Sequence, residues 1–309
     1  MLNPKVRELL DGFAVAGAPP VYEQTPQDAR ASTRTLRELI ASGPAVGEVV
    51  HHVIDGPGGS LSLREYRPAE DPRRTIVYLH GGGWVLCGLD DADSVCRSLC
   101  LQSAARVISV EYRLAPEAPF PAAFDDTRAA VLWAASTYPS EDGLVVAGDS
   151  AGGNLAAVCA VWDAEQSDRM ISHQVLVYPV TDHKFDTASY REHDDPTFFV
   201  RRRDMEWFFD LYVPEVGRRD DPFVSPLRVA NPGQLAPALV VVAEYDVLRD
   251  DGLRYADRLR GAGVPVVTSV FDDTVHGFFT LVGLLDGSAR AIREIAEFIE
   301  APAAVVAVG

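Results

Sequence analysis

The apolar positions follow two periods. Short runs rich in Val, Ile and Leu, at Thr75 to Leu79, Arg106 to Glu111, Leu144 to Ala147, His173 to Tyr178, Ala238 to Ala243 and Pro265 to Phe271, have the length of buried strands. Longer segments with helical spacing lie between or after them, at Asp91 to Ala104, Pro121 to Thr137, Ser150 to Ala164, Asp251 to Gly261 and about Ser288 to Glu300. Strands that are apolar throughout, alternating with helices, predict an α/β fold: a mostly parallel central sheet with helices on both faces. Ahead of them, Val46 to Ile54 and Ser60 to Tyr66 flank Asp55-Gly56-Pro57-Gly58-Gly59, which predicts an antiparallel hairpin at the start of the sheet.

Two segments fall outside this alternation. Residues 1–45 read as broken helix: Pro4 to Leu10, an interruption at Pro19-Pro20, then Pro26 to Ala41 with an apolar stripe of Leu36, Leu39 and Ile40. From Thr181 to about Val216 the pattern turns aromatic and charged, with helical spacing after Asp204. The organisation predicted is a catalytic unit over 46–309 with an insertion at 181–216, and a helical cap made by that insertion and residues 1–45. Trp84, Phe198, Phe199, Trp207 and Phe208 are the candidate pocket residues; cap aromatics either line an apolar acyl pocket or form the core that holds the cap down.

Length alone leaves one large or two small domains open for 309 residues, and there is no internal repeat or low-complexity linker. A formal charge of −17 argues against nucleic acid, which requires clustered Lys and Arg to displace counterions. Arg201-Arg202-Arg203 is the one basic cluster, read as a solvated helix start. Cys87, Cys96, Cys100 and Cys159 have neither disulfide-framework nor zinc spacing, so free thiols, no metal and a cytoplasmic setting are expected. Residues 1–10 lack the apolar core of a signal peptide. No apolar run approaches the roughly 18 to 20 residues of a membrane span, and the tail Ala301 to Gly309 is far shorter.

Gly148-Asp149-Ser150-Ala151-Gly152 stands between a strand-like run and a helical one, the context of a nucleophile elbow. Its glycines permit a turn tight enough to project the Ser150 hydroxyl from the sheet, while the helix start aims the Ala151 N–H at a developing oxyanion. His80-Gly81-Gly82-Gly83-Trp84 ends another strand and uncovers further backbone N–H groups. Among the seven histidines, His51, His52 and His173 lie away from the sheet's carboxyl edge, and His80 orders its own glycine loop. His183 and His193 fall in the insertion. His276 follows the last strand and is the base candidate. Asp246 and Asp182 both lie just beyond strands, and the order serine, acid, histidine holds for either; position favours Asp246, whose strand adjoins the one before His276. Asp149 is expected to anchor the elbow.

Together with Tyr112-Arg113-Leu114-Ala115-Pro116-Glu117, Tyr178-Pro179, Asp246-Val247-Leu248-Arg249-Asp250 and His276-Gly277-Phe278, these motifs resemble the hormone-sensitive-lipase-like (family IV) carboxylesterases of the α/β-hydrolase superfamily, in order and spacing, from about residue 45 onward. The resemblance implies a triad of Ser150, Asp246 and His276 and oxyanion donors at Gly82, Gly83 and Ala151. It implies a serine hydrolase of small-molecule carboxylic esters, short- to medium-chain, without cofactor, as monomer or homodimer. One departure is Cys87-Gly88-Leu89-Asp90-Asp91-Ala92-Asp93, where the family commonly has a glycine-serine step and then a histidine-aspartate pair. Amidase, N-acetyl deacetylase or lactonase activity shares the triad chemistry. A binding protein on the same fold is the third reading, weakened because all three triad members are present.

Overall fold

The computed structural model describes residues 1–16, 19–37 and 42–300. Leu39 and Ile40 of the predicted stripe, the side chain of Leu36 and the apolar tail lie outside the described residues. The chain begins with α1 (Pro4–Ala16) and α2 (Pro26–Arg37), then β1 (Glu48–Gly56) and β2 (Gly59–Arg67). Pro57 and Gly58 form the tight turn, and β1 and β2 pair antiparallel along their whole length.

The alternating region follows as β3 (Thr75–Leu79), α3 (Asp93–Ser103), β4 (Arg106–Val110), α4 (Ala122–Thr137), β5 (Leu144–Asp149), α5 (Ala151–Ala164) and β6 (Ile171–Val177). The insertion contributes α6 (Ala188–Glu192) and α7 (Arg202–Tyr212), before β7 (Ala238–Tyr245), α8 (Arg249–Gly261), β8 (Val266–Val275) and α9 (Asp286–Glu300). All strands join one sheet in the order β1-β2-β4-β3-β5-β6-β7-β8. β2 is antiparallel to β4, and every pairing from β4 to β8 is parallel.

Period-two side chains divide the interior into two cores. Val77, Leu79, Val146, Leu176, Val240 and Val242 face α4, α5 and α8. Ile76, Tyr78, Val145, Val175, Leu239 and Val241 face α3 and α9. α5 is buried through Asp163, as a helix apolar on nearly all sides must be. Val6 and Leu10 of α1 join the core with α9, and Ala29 of α2 joins the other.

Two boundaries differ from expectation. β8 continues through Asp272, Asp273 and Thr274 to Val275, so His276 directly follows the strand. Aspartates disfavour strands, but this one is at the sheet's edge, where Asp273 turns outward to accept from the Asn3 amide at 3.0 Å. α7 begins at Arg202, with Arg201 as its cap bonded to Asp204. The Arg201 and Arg203 guanidiniums lie 5.1 and 4.5 Å from the Tyr22 ring, so this cluster fastens α7 to the N-terminal segment as well as meeting solvent.

Candidate active site

Parallel strands deliver their following loops to one edge, and the candidate residues gather there. Ser150 leaves β5 with φ 56° and ψ −117°, a conformation costing a non-glycine residue about 1–3 kcal/mol. Its N–H donates to the Val177 carbonyl at 2.8 Å, and its own carbonyl accepts from Asn154 N–H at 3.0 Å. The Asn154 amide donates to the Val180 and Val224 carbonyls, each at 2.9 Å, tying the start of α5 to the segments on either side of the insertion. A Cβ at Gly148 would meet the Gly152 carbonyl, and one at Gly152 would run into the Leu79 carbonyl. Both glycines are therefore required by backbone approach.

His276 Nε2 lies 3.0 Å from Ser150 Oγ, and His276 Nδ1 lies 2.7 Å from Asp246 Oδ2. Asp246 Oδ1 accepts from the Leu248 N–H at 2.9 Å, which fixes the carboxylate. The three residues are 8%, 6% and 1% exposed for Ser150, His276 and Asp246, so the serine and imidazole keep a narrow opening while the acid is sealed. The ring of Tyr178, with φ 34°, is centred 4.3 Å from that of His276 and supports it from one side. Asp182 is held elsewhere: both its oxygens accept from Arg228, at 2.8 and 3.2 Å.

Asp149 connects the elbow to the glycine loop. Its Oδ1 accepts from Tyr78 OH at 2.6 Å and from Gly81 N–H at 3.0 Å. Burial pushes this carboxyl above its ordinary range, and those hydrogen bonds oppose the rise. The His80 ring stacks on Tyr112 with centroids 4.2 Å apart, and the Tyr112 hydroxyl donates to the His80 carbonyl. Burial lowers the His80 pKa to about 4, leaving a neutral ring that orders the loop. Gly82 and Gly83 have φ 101° and 60°. Among the described residues, no acceptor takes the N–H groups of Gly82, Gly83 or Ala151, the last being the first residue of α5.

The expected pocket aromatics separate into two groups. Trp84 is fully buried, stacked on Tyr212 at 4.3 Å and edge-on to Phe209 at 5.3 Å. Phe208 lies against Gly83, with Trp207 packed on it at 5.2 Å. Phe199 stands next to Gly277 and meets Phe13 of α1 edge-on at 5.2 Å, while Phe198 packs on Tyr245. Phe13 and Asn154 are neighbours of the site that sequence reasoning did not single out, and Tyr178, marked there only as part of the Tyr178-Pro179 motif, proves to pack on the imidazole. The signal the sequence held for the first was an aromatic side chain just past the helical run Pro4 to Leu10.

The other histidines have different partners. His52 Nε2 lies 2.7 Å from Glu65 Oε2, and His173 packs edge-on to Phe298. His183 lies beside Ser225 and Asp220, and His193 beside Arg249. Cys87 has φ 67°, in the left-handed region, and adjoins Gly82. It lines a cavity of about 710 Å³ between α2 and the loops after β3 and β4, with Arg34, Arg37, Asp91 and Glu111 among its walls. Among the described residues, no group of three or more His, Cys, Asp or Glu could hold a metal ion, and no helix is long and apolar enough to cross a membrane.

Residues 76–280 match the family model described as the alpha/beta hydrolase fold. The carboxylic ester hydrolase LipN of Mycobacterium tuberculosis is 37% identical over 283 residues, covering 88% of this chain and 75% of that protein. Carboxylesterase NlhH of the same organism is 34% identical, covering 94% and 92%. The structure of a hyperthermophilic esterase from the archaeon Pyrobaculum calidifontis superposes with a TM-score of 0.92 at 35% identity, covering 99% of each chain. With the sheet order, the elbow and the glycine loop already in place, these likenesses show that the chain belongs to the α/β-hydrolase superfamily, as a serine hydrolase in its hormone-sensitive-lipase-like branch of carboxylic ester hydrolases.

Proposed function

We propose that this enzyme hydrolyses short- to medium-chain carboxylic esters through an acyl-enzyme on Ser150. The observation that carries the reading is the unbroken contact from Ser150 Oγ through the His276 ring to the sealed Asp246 carboxylate. Ser150 attacks the ester carbonyl while His276 Nε2 takes its proton; Asp246 holds the tautomer and stabilises the imidazolium. The N–H groups of Gly82, Gly83 and Ala151 receive the oxyanion, each such donor being worth about 10²- to 10³-fold in rate. His276 protonates the departing alcohol, and water repeats the sequence to release the acid.

In this reading residues 1–45 and 181–216 form the cap. Phe199 and Phe13 beside Gly277 support an apolar wall near the imidazole, with Phe198, Trp207 and Phe208 behind it. Four free thiols, three of them buried, support a cytoplasmic enzyme. Val267 and Val270, exposed on the edge strand β8, support a homodimer, which light scattering in solution would weigh directly.

The test is initial rates on p-nitrophenyl esters from acetyl to long-chain acyl, with Ser150→Ala beside the wild type. Short and medium esters are expected to turn over, and the variant to lose about 10⁴-fold or more. A wild type inert on every ester would transfer the triad to amides or lactones.

A further inference from the structure

The Tyr112 to Glu117 motif carries no part of the reaction as described, and Arg30 of α2 is joined to it. We propose that Arg30 is a positioning residue for the oxyanion loop, held in its working orientation by Glu117. The role rests on the proposal above that Gly82 and Gly83 supply oxyanion donors.

The Arg30 guanidinium makes four hydrogen bonds. Nε donates to the Val85 carbonyl at 2.8 Å, and Nη2 to the Ala115 carbonyl at 2.8 Å. Glu117 takes the remaining edge through both oxygens, at 2.9 and 2.7 Å. Ala115 N–H in turn donates to the Trp84 carbonyl at 2.9 Å. A closed ring therefore runs from Trp84 to Ala115, through the guanidinium, and back to Val85. Within the loop, Val85 and Leu86 N–H both donate to the Gly82 carbonyl, at 3.1 and 2.8 Å. Moving Val85 turns the peptide that follows Gly82, and that peptide carries the Gly83 N–H.

The planar fork explains the residue type. Arginine can meet two carbonyls and a carboxylate in one plane, whereas lysine offers a point charge. A surface ion pair alone would matter little, since Glu117 is half exposed. The Arg30 side chain is only 19% exposed, its bond to the Val85 carbonyl reaches the loop itself, and its bond to the Ala115 carbonyl reaches the residue whose N–H holds Trp84. Phe208 packs on Gly83 from α7, so both cap segments bear on the same glycine loop. α2 thus acts on the chemistry without touching substrate.

The experiment compares wild type, Arg30→Met, Arg30→Lys, Glu117→Gln and Ser150→Ala on p-nitrophenyl acetate and on an alkyl p-nitrophenyl phosphonate. Phosphonylation forms the Ser150 Oγ–P bond, expels p-nitrophenolate and passes the serine proton to His276, so its rate reads the oxyanion donors. Arg30→Met is expected to lower kcat about 10-fold, short of the full loss of a donor, with KM within about twofold and the phosphonylation rate falling in parallel. Arg30→Lys should restore part of both rates. Glu117→Gln, an exposed and isosteric change, should shift both in the same direction by less. Unchanged phosphonylation in Glu117→Gln and whichever Arg30 variant folds, or a raised KM at constant kcat, would overturn the role. Ser150→Ala separates the two ideas: if it retains turnover the nucleophile assignment fails, whereas wild-type phosphonylation with an Arg30-independent rate removes only the clamp.

Discussion

Asp182 and Asp246 are the same side chain in similar sequence positions, each just past a strand, and their surroundings give them different work. Asp182 is held by Arg228 and lies away from the imidazole; Asp246 is sealed and contacts His276. Asp246→Asn is therefore expected to lower kcat about 10⁴-fold, because an amide favours the wrong imidazole tautomer. Asp182→Asn is expected to leave kcat within a few-fold while lowering the denaturant midpoint. Steady-state rates and urea unfolding of the two variants check this, and the reverse ranking of rates would reassign the acid. At this scale the serine, histidine and glycines were legible because tight turns and strand ends restrict residue type. The pairing of Asp246 with His276 was legible only as adjacency of strands. The stacking of Trp84 on Tyr212 was not legible, because an aromatic after a glycine run looks the same whether its ring faces a cavity or a stack.

The elements were readable wherever burial is two-sided, from β3 to β7, since apolar runs there admit few alternatives. β8 and the helices of the insertion were less so, because edge position and side-chain partners override propensity: Asp272 and Asp273 continue a strand, and Arg201 caps a helix. The corner where β1, β2, β4 and the end of α4 meet has its own electrostatics. The Glu65 carboxylate is fully buried and bonded to Arg67, His52, Arg106 and Tyr138. Burial alone would raise its pKa, but those four partners outweigh burial and hold it at about 2. A folded value below the unfolded one means that the contribution is complete above about pH 4 and is lost as pH falls through about 2. Glu65→Gln is expected to cost about 2 kcal/mol at neutral pH, less than for a fully enclosed pair because Arg67 reaches water. Urea midpoints taken from pH 7 to pH 2 should show the gap between variant and wild type closing below pH 4. A gap independent of pH would refute the ionised network.

Across the whole molecule, residues at 80–84, 150, 246 and 276 come together because consecutive parallel strands send their loops to one edge. α2 and α7 meet the loops at that edge through side chains whose partners are far away in sequence, such as Arg30 on Val85 and Phe208 on Gly83. Periodicity exposes the sheet but carries no information about which side chain of α2 or α7 meets which loop, so these contacts had no signal in the chain. The central claim is that Ser150 forms the covalent intermediate. The most direct test is the intact mass and peptide map of the protein after inactivation by an alkyl p-nitrophenyl phosphonate, for wild type and Ser150→Ala. The account predicts one phosphonyl group per wild-type chain, on the peptide containing Ser150, appearing as esterase activity disappears, and no adduct on the variant. An adduct on another residue, or esterase activity that survives full modification of Ser150, would contradict it.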